Sequence, residues 1–131
     1  MSHIQSLLMT SLFLIPTLAA AETALDGTWD VTFSTRDTET RQAIVVITGA
    51  EGTWTTIAQR RKERNDPCVG RSFPLTVVVA DQKRVVLEVA FAKAIAGCKD
   101  RTVTGQIESA GVIEGKLENG KPLRMLKKQA P

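Results

Sequence analysis

From Gly27 onward the apolar residues recur with period two, in short segments closed by Gly, Asp, Asn or Pro. Alternation of this kind gives a strand one core face and one wet face, whereas a helix needs apolar residues three and four apart. Eight strands are predicted, near residues 27–35, 41–48, 52–60, 74–80, 84–91, 101–108, 111–118 and 121–127. In the first, Trp29, Val31 and Phe33 share one face and Thr28, Asp30 and Thr32 the other. No gap between strands holds a crossover helix with its loops, so neighbouring strands pair antiparallel. Asn119-Gly120 predicts a type I′ hairpin; Gly49-Ala50-Glu51-Gly52 and Ala80-Asp81-Gln82-Lys83 predict further reversals. Residues 92–97, AKAIAG, could form one helical turn. Gly105 and Gly115 fall inside predicted strands and permit the bends that closing a sheet requires.

The fold expected is therefore all-β: an eight-stranded antiparallel up-and-down β-barrel, with an open sandwich as the second architecture. Closure removes exposed edges. Trp29, Phe33, Trp54, Leu75, Val77, Leu87, Val89, Phe91, Ile113 and Leu123 are expected to face inward and fill so small a barrel.

The N-terminus reads differently. Met1 to Ala21 has an apolar run from Leu7 to Ile15, then Pro16, then Ala19-Ala20-Ala21, the order of a cleavable signal peptide cut before Glu22. The run is shorter than the roughly 20 residues that span a bilayer, which disfavours the alternative of a permanent transmembrane anchor. Residues 22–131 then form one domain, of about 110 residues, exported to the periplasm or beyond. The leader holds no Lys, Arg, Asp or Glu, so the net charge of +3 survives its removal. That mild basicity is too small to imply nucleic acid. Cys68 and Cys98 both remain, and an even pair in an oxidising compartment predicts a disulfide rather than two free thiols. Closing that loop would stabilise the fold by about 3.5 kcal/mol.

Gly27-Thr28-Trp29 at the start of the first strand resembles the Gly-x-Trp of the calycin superfamily, the lipocalin-like and avidin-like barrels. In that family the Trp pairs with a basic side chain from the last strand. KPLRMLKK offers Arg124 first, then Lys127 or Lys128. Trp29, Trp54 and Arg124 are thereby expected to be structural, with cation–π attraction covering the Trp29 face. The resemblance implies binding of a small molecule inside the barrel or of a protein at its rim. The chain is shorter than most lipocalins, and unlike the biotin-binding avidins it contains no Tyr. It is also similar to the small periplasmic inhibitors of metalloproteases, though only Glu22 to Asp26 precede Gly27, too little for their inhibitory arm.

The densest charge is Arg60-Arg61-Lys62-Glu63-Arg64, followed by Asn65-Asp66-Pro67, Cys68 and Arg71. Such a run is either a solvated loop or an anion-facing rim whose geometry the disulfide fixes. Arg60, Arg61, Lys62, Arg64 and Arg71 are the candidate binding residues; Lys93, Lys99 and Arg101, which flank Cys98, are candidates to join them. The sole histidine, His3, lies in the leader, so the mature chain cannot host a His-based triad or a histidine metal site. No metal or cofactor is expected. Asp26, Asp30, Glu88, Glu108, Glu114 and Glu118 leave paired-carboxylate hydrolysis conceivable, but their spacing singles out no pair. The expected function is non-catalytic binding of a protein or an anionic envelope component. A small apolar ligand inside the barrel, or inhibition of a periplasmic enzyme, is the alternative.

Overall fold

A computed structural model describes residues 25–36, 39–81 and 83–129; the signal peptide read from residues 1–21 lies outside them. Eight strands close into a barrel in chain order: β1 (Gly27–Arg36), β2 (Glu39–Thr48), β3 (Glu51–Thr56), β4 (Ser72–Ala80), β5 (Val85–Val89), β6 (Arg101–Ser109), β7 (Val112–Leu117) and β8 (Pro122–Lys127). Every neighbouring pair is antiparallel, and β1 against β8 closes the ring, with Trp29 opposite Lys127 and Phe33 opposite Leu123. The barrel expected from the alternation is the one formed; the sandwich is not. Two strands end earlier than their apolar patterns suggest. β3 stops at Thr56 and gives way to a 3-10 helix over Arg61–Asn65, and β5 stops at Val89 before a single turn, α1 (Phe91–Ala94).

The inward faces form one continuous apolar core. Val45, Val85, Leu87, Val103, Ile113 and Met125 are wholly buried, with no room beside any of them for a water molecule. Of the residues expected inside, only Val77 is half-buried, next to an irregularity in the β4–β5 register between Val77 and Val79. Phe33 packs edge-on against Trp54 at 5.4 Å between ring centroids, and Phe73 against Phe91 at 4.4 Å. The strands cross closely at Gly105 and Gly115, which face each other between β6 and β7. A Cβ at Gly115 would lie 2.5 Å from the Thr104 carbonyl oxygen and 2.9 Å from the Gly105 Cα, so neither side of this crossing tolerates a side chain.

Trp29 closes one end. Its indole N–H donates to the Leu25 carbonyl at 2.9 Å, and the Lys127 ammonium stands 5.8 Å from the ring centroid. This corrects the expectation of Arg124. Alternation along β8 turns Leu123 and Met125 inward and Arg124 outward, where its guanidinium pairs with Glu114 at 2.9 Å; Lys127 is the residue in register with Trp29. Gly27 makes room for that lysine: its φ is 135°, and a Cβ there would sit 2.8 Å from Lys127 Cε. The second Gly-x-Trp, Gly52-Thr53-Trp54, has a different role. Trp54 lies beneath the opposite end, donating its indole N–H to Thr56 Oγ1 at 2.8 Å.

The hairpins divide by end. In an up-and-down barrel alternate connections fall on the same side, so the brief β2–β3, β4–β5 and β6–β7 turns share the Trp29 end. The long β3–β4 and β5–β6 connections share the other, with β1–β2 and β7–β8. The Asn119-Gly120 turn is not type I′, which needs positive φ at both central residues. Gly120 has φ 81° but no non-glycine residue among those described has positive φ. The Gly120 N–H donates to the Leu117 carbonyl and the Leu117 N–H to the Lys121 carbonyl, a longer loop with glycine in the left-handed position.

Candidate functional site: the disulfide-bearing mouth

Cys68 and Cys98 are bonded, with Cα atoms 5.7 Å apart. The bond ties the β3–β4 connection to the β5–β6 connection across the mouth of the barrel. It brings together what the sequence separates: the basic run of residues 60–64 and the cations around Cys98.

The basic run is arranged by its one acid. Glu63 accepts the Gln59 backbone N–H at 2.9 Å and reaches Arg41 on β2 at 3.4 Å. Its carboxyl is held below the usual glutamate range, chiefly by the Gln59 N–H; burial opposes this, and Arg41 and then Arg60 add to the lowering. Arg60 pairs with Glu39 at 3.3 Å, so it belongs to the framework of the loop. Arg61, Lys62 and Arg64 on the 3-10 helix and Arg71 before β4 are exposed and have no ion-pair partner among the described residues. Lys93 on α1 and Lys99 after Cys98 are likewise exposed and unpaired there. Arg101 differs in being half-buried and paired, with Glu118 at 2.9 Å. Burial raises the Glu118 carboxyl, but backbone N–H donors, including that of Thr102, and the Arg101 guanidinium outweigh it and leave the group below its usual range.

A recess of about 190 Å³ lies at the centre of this mouth. Its floor is Phe33, Trp54, Phe91 and Leu117; its walls carry Arg41, Thr56, Asp66, Lys99 and Arg101. Asp66 is committed to its own loop, accepting the Cys68 N–H at 2.9 Å. Arg41 and Thr56 escaped notice in the sequence because each sits where alternation leads to expect an apolar residue, and nothing in the one-dimensional pattern shows that β2 and β3 reach the mouth there. The candidates Arg60, Arg61, Lys62, Arg64 and Arg71 lie at the same end of the barrel but do not line the recess.

Among the described residues, the six acidic side chains considered for paired-carboxylate chemistry do not converge. Asp26 accepts the Gly49 N–H at 2.8 Å, Asp30 pairs with Lys128 at 3.6 Å, and Glu114 and Glu118 are paired as above, while Glu88 and Glu108 are exposed. Among the described residues no three His, Cys, Asp or Glu side chains are grouped as for a metal. No described helix is long and apolar enough to cross a membrane.

No protein-family model matches the chain, and neither does any curated protein. Among solved structures it is similar to a redesigned β-barrel, with a TM-score of 0.52 and 18% identity over 84% of this chain and 96% of that one. That similarity extends to the fold alone.

Proposed function

We propose that the chain is a non-catalytic, exported binding module of calycin-like type, whose contact surface is the disulfide-bearing mouth and whose partner is anionic. One observation carries this reading: Arg61, Lys62, Arg64, Arg71, Lys93 and Lys99 gather unpaired at one end of the barrel, on the long connections that the Cys68–Cys98 bond holds together. Cations that serve only solubility have no reason to segregate, and a rigid cluster of guanidinium groups suits carboxylate- or phosphate-bearing surfaces. The disulfide and the leader read from residues 1–21 support export. Gly27-Thr28-Trp29 at the head of β1, with Lys127 over Trp29, supports the calycin-like assignment. The dispersal of the carboxylates supports a non-catalytic role.

Two charge-matched variants test the surface. Arg61→Glu with Arg64→Glu reverses two cations at the mouth; Lys83→Glu with Arg84→Glu reverses two exposed cations at the Trp29 end. On an immobilised sulfated polysaccharide the mouth variant should elute at much lower salt than the wild-type protein, and the other variant only slightly lower. Both should keep the far-UV spectrum and melting temperature, since exposed charges add little stability. Equal shifts for the two variants would mean that retention follows net charge, and the mouth would lose its claim.

A further inference from the structure

Inside the basic rim, the recess at the centre of the mouth has a chemistry of its own. In a ring of eight strands β2 and β6 stand half a turn apart, and both turn an arginine into this recess: Arg41 and Arg101. Their side chains are mostly buried, at 21% and 24% exposure. Each is gripped by one carboxylate, Glu63 or Glu118, which uses only part of a five-donor fork. Arg41 Nε is out of contact with water and has no hydrogen-bond partner, a costly state for a buried donor. Beneath the two forks lie Phe33, Trp54 and Leu117.

We propose that this recess binds a carboxylate carried on a short apolar stem, the stem against the aromatic floor and the carboxylate between Arg41 and Arg101. The proposal rests on the mouth being the contact surface and names what its centre takes. Planar forks match a planar carboxylate. Asp66 on the wall favours a single negative charge over a doubly charged phosphate. A volume of about 190 Å³ is smaller than a drug-sized site and limits the guest to one side chain or a small acid. The same chemistry is offered by a free small carboxylic acid and by the terminus or an acidic side chain of a protein.

Trp54 lines the recess and Trp29 does not, so tryptophan emission reports occupancy. Titration of the intact oxidised protein with phenylacetate should change that emission saturably, and phenylacetamide, uncharged but similar in shape, should act only at concentrations roughly ten- to hundredfold higher, the range for losing a charge-assisted hydrogen bond. Arg41→Gln or Arg101→Gln should weaken phenylacetate binding by a similar factor. Acid and amide acting alike, or the acid binding both variants as it binds the wild-type protein, would overturn the site. The comparison of acid with amide needs no variant, so it stands if a substitution prevents folding. A short peptide ending in phenylalanine with a free carboxylate, if it competes better than phenylacetate, identifies a protein terminus as the source; if it is excluded, the source is a free acid. The Lys83→Glu, Arg84→Glu protein should bind phenylacetate within about twofold of wild type, because those two cations stand at the opposite end of the barrel. Polysaccharide elution reads the rim and phenylacetate titration reads the recess, so failure at the rim and failure in the recess are separate results.

Discussion

Trp29 is fixed by three different interactions: burial of its ring, an indole N–H donated to Leu25, and the lysine on its face. Truncating it removes all three. Trp29→Ala should destabilise the oxidised protein by about 3–5 kcal/mol, the range for a buried large aromatic, while Thr28→Ala, one position along on the other face, should cost far less. Chemical denaturation of the two variants measures both, and the reverse order would place the wrong face of β1 inside. Both tryptophans were legible in the sequence as core residues because large aromatics at alternating positions have nowhere else to go. The cation over Trp29 was harder to read. Arg124, Lys127 and Lys128 form a run whose members differ only in which way they point, and β8 must be counted from Leu123 before Lys127 emerges as the partner. Arg41 was invisible for the opposite reason: an inward arginine contradicts the alternation, and its justification, a wet recess with Glu63 at its edge, exists only once the barrel is closed.

At the scale of elements, the strands were legible and the long connections were not. The strand read from the sequence extends to Arg60, yet β3 ends at Thr56; beyond it the Gln59 N–H turns to the Glu63 carboxylate, just ahead of the 3-10 helix over Arg61–Asn65. A side chain four residues ahead carries that information, and no local propensity does. The Asn119-Gly120 turn misled in the same way: one positive φ, at Gly120, suffices for the longer loop formed. The disulfide joins the two longest connections, which make few backbone hydrogen bonds to the barrel. Its closed loop spans 30 residues of sequence, so replacing both cysteines by serine should lower stability by about 3.5 kcal/mol on the chain-entropy scale. The loss should come largely from the unfolded state, leaving the strands intact and shifting the denaturation midpoint with the far-UV spectrum unchanged. A midpoint that does not move would show that the mouth is held by Glu63, Glu118 and their arginines alone.

Across the whole molecule the two ends are unlike. The Trp29 end is plugged and carries brief turns, while the mouth has the long loops, the disulfide and a cluster of six unpaired cations. Between them the interior is occupied, which bears on whether the barrel is a container. A carrier of apolar molecules needs unfilled space lined by apolar side chains with a few polar groups to orient the guest. Here Val45, Val85, Leu87, Val103, Ile113 and Met125 are wholly buried with no space for water beside them, so a guest could enter only by displacing core side chains. The native protein should therefore take up no neutral apolar dye such as Nile red at concentrations where hollow barrels saturate. Leu87→Ala, which empties volume near the barrel axis, should cost about 2–5 kcal/mol, more where the walls fail to relax into the gap. A cavity lined by apolar core side chains should stay dry and admit a small apolar guest such as benzene or xenon, and binding by the variant alone would return part of the lost stability. Saturable dye uptake by the unaltered protein, displaced by apolar competitors, would reverse this and make the barrel interior, and not its mouth, the seat of function.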